Sequence, residues 1–119
     1  MQDFRNLKLW QKAHALTLSI YQASTRFPAD ERFGLTIQLR RAASAIPINI
    51  ADGCGRSTDM EFWKSLSTAM GSANQLEYML LLSRDLGFLS EETYSSCNAD
   101  CTEVKRMIAG LIQSLHTER

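Results

Sequence analysis

The stretch "RRAASAIPINIADGCGRST", Arg40 to Thr58, carries the residue types from which a phosphate cradle is built: two glycines around one residue, then Arg56, Ser57 and Thr58. A phosphate loop needs a strand leading into it, an earlier glycine at the place Ile50 occupies, and a lysine where Arg56 stands. Here a helical pattern leads in instead. The spacing therefore predicts the end of a helix, with Gly53 and Gly55 supplying the chain reversal.

Two other groupings could do chemistry. Cys97 and Cys101 stand one helical turn apart, a spacing able to put two thiolates on one metal, yet both fall on an apolar stripe with no histidine near in sequence, so core packing is expected. Cys54, between two glycines, is expected to be the more exposed thiol. His14 and His116 are the only imidazoles, and neither has a nucleophile and orienting group beside it. No catalytic residue, metal ligand or cofactor-binding residue is nominated. Glu77 is a different kind of signal, because its helical position lies among Met70, Ala73 and Leu81, where an unpaired carboxylate would be costly. It predicts an ion pair with Arg40 or Arg41, with Arg84 on its own helix face as the alternative.

Four helical segments must position these residues, and no convincing strand competes with them. The first runs from about Asn6, a candidate N-cap, to Arg26. At about 100° per residue, Leu9, Ala13, Leu16, Ile20 and Ala23 form one stripe. Leu7, Trp10, His14, Leu18 and Tyr21 form a second beside it. That is more apolar surface than burial from one side would cover, which predicts a homo-oligomer. The second helix is expected from Ala29 or Asp30 to Asp52, with Leu35, Leu39, Ala42, Ala43, Ile46 and Ile50 inward and a seam of Ile37, Ser44 and Ile48 outward. Pro47 removes a backbone donor and crowds the carbonyl four residues earlier, so a kink near Ala43 to Ile46, or a full break, is expected. The third, from Asp59 or Met60 to Leu86, has Thr58 and Glu61 as a capping box and Gly87 as its stop. The fourth begins at Ser90 as N-cap, with Glu91 and Glu92 where the helix dipole favours acids. Short connections between long helices predict an all-α, up-down four-helix bundle in a single domain spanning residues 1–119.

Composition narrows the function classes. The 119 residues suit one core, and no linker or low-complexity tract interrupts them. No apolar run is long enough for a membrane span, polar residues interrupt the first segment where a signal peptide would be apolar, and three cysteines fit reduced thiols; a cytoplasmic protein is expected. Net charge is zero, against a protein that grips nucleic acid over its whole surface, but the distribution is uneven. Residues 1–58 hold eight basic against four acidic side chains, a net +4; the remainder holds five against nine, a net −4. Such a split either presents a basic face or pairs one subunit's first half with another's second half.

Taken together, "FPADERFGL", "QLRRAA" and "IPINIADGCGR", followed by "FWKSLSTAMGSANQLEYMLLLSRDLGFL", resemble the bacterial four-helix-bundle proteins first noticed as products of intervening sequences in 23S ribosomal RNA genes. That family includes the accessory protein of diversity-generating retroelements. Phe27, Pro28, Phe33, Gly34 and Leu35 match its turn into helix two, and Gln38, Arg40, Arg41, Ala42 and Ala43 its basic turn. Pro47, Asn49, Ile50, Ala51, Gly53, Gly55 and Arg56 match the end of that helix, while Gly71, Ser72 and Glu77 match helix three. Asp52 departs, standing where the family more often has glutamate. The resemblance implies a ring-shaped homopentamer without enzymatic activity, and in the retroelement branch binding to a reverse transcriptase and nucleic acid.

The basic first half and the resemblance nominate Lys8, Lys12, Arg40, Arg41 and Arg56 as contacts to RNA or to a nucleic-acid-acting partner. Leu7, Trp10, Tyr21, Ile37 and Ile48 are nominated as the oligomer interface. The alternative is a protein-interaction scaffold with no nucleic-acid affinity, whose arginines serve pairs within and between subunits. Neither reading calls for a cofactor, a small-molecule substrate or a membrane.

Overall fold

Helix boundaries in the computed structural model, which describes residues 2–117, follow from local hydrogen bonding. Asp3 accepts the Arg5 amide and opens a 3₁₀ turn, Phe4–Asn6, so α1 (Lys8–Ser24) starts after Leu7 and not at Asn6. Ala29–Glu31 is likewise a 3₁₀ turn rather than the first turn of the second helix. The Glu31 carboxylate then accepts the Leu35 amide at 3.1 Å, an orphan donor of the helix N-terminus, and α2 runs Leu35–Cys54.

α3 (Asp59–Asp85) is capped as expected by Thr58, whose hydroxyl oxygen accepts the Glu61 amide at 3.2 Å. Glu61 returns its carboxylate to the Thr58 hydroxyl rather than to the Thr58 backbone, so half of the box closes through side chains. Gly87, at φ 81°, ends α3. Its own amide reaches the Arg84 carbonyl and the Phe88 amide the Ser83 carbonyl, both at 2.9 Å, the paired bonds of a Schellman stop. Ser90 then caps α4 (Glu91–Thr117) by accepting the Thr93 amide.

α2 continues unbroken through Pro47, which excludes the full break. The proline deprives the Ala43 carbonyl of its helical donor. Thr17 of α1 replaces it, with Oγ1 3.0 Å from Ala43 O and buried. The same hydroxyl lies 2.9 Å from Ala13 O, but that carbonyl already has an intrahelical partner, so the proton satisfies more by going to Ala43.

Each helix packs against two others: α1 on α2, α2 on α3, α3 on α4 and α4 on α1. The result is a four-cornered bundle measuring 47 × 22 × 20 Å. The inward stripes meet along its axis, where Leu16, Ile20, Leu39, Ile46, Ile50, Leu66, Leu76, Leu80 and Ile108 are almost wholly buried. Where α2 approaches α3 the clearance is small. A Cβ at Gly53 would sit 2.6 Å from Phe62 Cδ1, so the glycine lies inside the helix to admit that ring rather than in a turn beyond it.

Candidate functional site

The nominated basic residues do not form one patch. Arg40 is taken up internally: Nε donates to Ser24 Oγ at 2.8 Å and a second nitrogen to Tyr21 O at 3.2 Å. Its guanidinium lies over the Tyr21 ring. It ties α2 to the C-terminal turn of α1. Arg56 is likewise engaged, pairing with Asp52 at 3.0 Å. Asp52 also accepts the Ser65 hydroxyl at 2.9 Å, and these bonds, Ser65 first and Arg56 second, hold its carboxyl below the usual carboxylate range. Lys8, Lys12 and Arg41 remain exposed and make no ion pair among the described residues.

The opening phosphate-loop motif is closed as such by its own backbone. Gly55 and Arg56 send their amides to the Asp52 and Gly53 carbonyls of α2, each at 3.1 Å, leaving those two donors no part in an anion nest.

The pairing of Glu77 with Arg40 or Arg41 is corrected. Its partner is Lys105 of α4, with Nζ 3.0 Å from Oε1. Arg40 is turned to α1, Arg41 to solvent, and the other alternative, Arg84, pairs with Asp85 and lies over Tyr94. The Glu77 side chain is 41% exposed, at the edge of the α3–α4 contact rather than within the core. Its demand for a partner is therefore weaker than helical position alone suggested.

The thiols are packing groups. Cys54 is buried, against the expectation of exposure, because Gly53 draws this end of α2 onto Phe62. Burial pushes all three thiols up, Cys101 to about 11, while its Sγ donates to Ala73 O. His14 stacks on Trp10 at 4.9 Å and His116 meets Trp63 edge-on. Among the described residues no group of three His, Cys, Asp or Glu is placed to hold a metal ion, and no helix is long and apolar enough to cross a membrane.

The nominated interface residues divide. Leu7 and Trp10 turn partly inward and pack against the core, and Ile37 is half-buried. Tyr21 and Ile48 are exposed, Ile48 by 63%, and Leu18 joins them at 57%. Leu18 and Tyr21 stand on α1, Tyr21 beneath the Arg40 guanidinium of α2, and Ile48 stands on α2. Two further exposed aromatics escaped sequence reasoning: Phe33, 83% exposed between the Ala29–Glu31 turn and α2, and Tyr78, 61% exposed on α3. The family resemblance placed Phe33 in the turn into helix two, but no periodicity governs a connecting turn, so its exposure was not signalled.

A groove of about 590 Å³ runs between α2 and α3, with Ala42, Ala45, Met79 and Leu82 low in it and Arg41 and Tyr78 standing exposed at its edge.

The family model described as 23S rRNA-intervening sequence protein matches residues 5–110. Among solved structures, a protein of unknown function from the S23 ribosomal protein family of Bacteroides thetaiotaomicron VPI-5482 superposes with a TM-score of 0.79 at 24% identity. The superposition covers 87% of this chain and 97% of the other, a likeness of fold. No curated protein matches the sequence.

Proposed function

The chain belongs to the 23S rRNA-intervening sequence protein family, and we propose that it is a non-enzymatic, homo-oligomeric helical bundle whose copies join along the α1–α2 side. The observation that carries this reading is the exposure of Leu18 and Tyr21 on α1 and of Ile48 on α2, two helices that pack on each other. Large apolar side chains left in water forgo roughly 25 cal/mol for each Å² that a partner would cover, and clusters of them mark interaction surfaces. The ring of five copies and the bend of α2 at Pro47 belong to the same reading. The family resemblance supports the first and the donor lost at Ala43 the second. A cytoplasmic location goes with it.

The test is the mass in solution by size-exclusion chromatography with light scattering. An oligomer that Leu18→Glu and Ile48→Glu dissociate supports the reading, and a monomeric wild type removes it.

A second reading adds RNA, or a partner such as a reverse transcriptase, to the assembled form. It is favoured by one observation: Lys8, Lys12 and Arg41 are exposed and make no ion pair among the described residues. Repeated around an oligomer, such cations would add up in a way that one copy's scattered three do not. Fluorescence titration of single- and double-stranded RNA at two salt concentrations tests it, since phosphate contacts weaken steeply with salt. Absence of binding at low salt would leave the scaffold reading alone.

A further inference from the structure

The α2–α3 groove has the form of a seat for a helix. On α2, Leu35, Gln38, Ala42 and Ala45 line it at intervals of three and four residues, and on α3 Gln75, Met79 and Leu82 do the same. Two neighbouring rows at that spacing are what a third helix packs between, its own row of side chains entering the depression they leave. From Leu35 to Ala45 the α2 wall spans about 15 Å at 1.5 Å per residue, the length of roughly three helical turns. Ala42 and Ala45 keep the floor low, and Leu35, Met79 and Leu82 make it apolar.

Arg41 sets the chemistry of the occupant. It is the one charged side chain among the lining residues, it is exposed, and it makes no ion pair among the described residues. A lone cation at the edge of an apolar trough is matched by an acidic side chain flanking an apolar row. Nucleic acid fits it less well. Arg40, its neighbour in sequence, bonds Ser24 at the C-terminal end of α1, which lies about 18 Å along that helix from Lys12 and further from Lys8. One cation over an apolar floor does not track a phosphate backbone.

Another copy of this chain also lacks the complement. α1 exposes Leu18 and Tyr21 but holds no acidic residue, and the acid of α2, Asp52, is engaged by Ser65 and Arg56. α4 carries Glu91, Glu92, Asp100 and Glu103 but exposes no large apolar side chain among the described residues. α3 is itself a wall of the groove, with Glu77 and Asp85 paired to Lys105 and Arg84.

We infer that this groove receives an amphipathic helix of another protein, its apolar row seated over Ala42, Ala45, Met79 and Leu82 and an acidic side chain meeting Arg41. Gln38, Gln75 and the exposed Tyr78 supply hydrogen-bonding groups at the rim. The apolar row supplies the affinity and the acid fixes the register along the groove. The inference does not depend on the self-association proposed above.

The experiment selects helices on the purified protein from a phage-displayed library of amphipathic segments about four turns long. Their apolar row is fixed as leucine, and the flanking positions vary among acidic, basic and neutral residues. Enriched helices are labelled with fluorescein and titrated by anisotropy against wild type, Arg41→Glu and Ala45→Arg, with circular dichroism confirming that each variant folds and amide chemical shifts locating the contact. Acidic residues are expected to be enriched at one flanking position, with shifts concentrated at Gln38, Arg41, Ala45, Gln75 and Tyr78. Arg41→Glu is expected to weaken the acidic helix by about fivefold or more and to strengthen its lysine counterpart, and Ala45→Arg to abolish binding of both. No enriched helix, no acidic preference, or shifts centred on Leu18 and Ile48 overturns the inference. So does binding that appears only as an assembly dissociates on dilution, which would give the groove to another copy. A single-stranded RNA oligonucleotide that displaces the helix and loses affinity with Arg41→Glu would give the groove to nucleic acid and overturn the inference as well. A monomeric wild type that binds the acidic helix removes self-association and leaves the inference standing.

Discussion

Thr17 Oγ1 on α1 lies 3.0 Å from the Ala43 carbonyl on α2, the acceptor that Pro47 leaves without its helical donor. One helix thus repairs a backbone defect in its neighbour, and a proline that would otherwise weaken α2 becomes a specific link between two helices. Thr17→Val keeps the shape and removes the donor, leaving a buried carbonyl unpaired. It is expected to cost about 1–3 kcal/mol in urea denaturation. In a Pro47→Ala background the restored amide takes over, so most of that cost should disappear. Equal costs in both backgrounds would show that Thr17 is not serving that carbonyl.

Gly53 tests the close approach of α2 to α3. Alanine is ordinarily the better helix residue. Here its methyl would meet the Phe62 ring at 2.6 Å and Ser65 Cβ at 3.0 Å. Gly53→Ala is expected to destabilise by about 1–3 kcal/mol through overpacking, and Phe62→Leu in the same chain to recover part of it. A rise in Tm for Gly53→Ala alone would mean that Phe62 moves aside freely.

The Asp52 network has a pH signature. Its carboxyl titrates lower when folded, owing to Ser65 and then Arg56, so the unfolded chain binds the proton more readily. The stabilisation is therefore complete above the unfolded carboxylate pKa of about 3.9 and is lost as pH falls through the lower folded value. Asp52→Asn should flatten the acid limb of stability against pH and leave the neutral limb parallel to wild type. An unchanged acid limb would place that dependence on other carboxylates.

Glu77 and Lys105 join α3 to α4 across a half-exposed edge. Solvent screening limits such a pair to about 0–1 kcal/mol, so Glu77→Gln and Lys105→Met should couple by no more than that in a double-mutant cycle. A coupling several times larger would instead mean the pair behaves as a buried one.

How far the sequence carried the fold is clearest at these same residues. Leu39, Ile46, Leu66 and Leu76 recur at helical spacing, and that periodicity, a local property, placed them correctly in the core. The four-helix architecture follows because the elements are long, the connections short and the helix ends chemically marked, starts by Thr58 and Ser90 and a stop by Gly87. What periodicity lacks is the identity of the neighbour across a groove. Glu77 was legible as a charge near the core face, but whether α2 or α4 supplied its cation depended on how the helices sit around the bundle. Gly53 looked like a turn glycine because its reason, the Phe62 ring, is contributed by another helix. Cys54 went the same way. The basic residues were equally legible as a set and illegible as a site. Arg40 finds Ser24, and the Asp52 that holds Arg56 finds Ser65, only through tertiary packing.

The central claim is that copies of this chain assemble through the exposed α1–α2 side. Light scattering on eluting wild-type protein, run beside Leu18→Glu and Ile48→Glu, tests it most directly. The account predicts a multimeric mass for the wild type, a mass falling toward one 13.4 kDa chain for each variant, and unchanged helical circular dichroism in all three. A wild type eluting as a single chain, or variants that keep the full assembled mass, would contradict it.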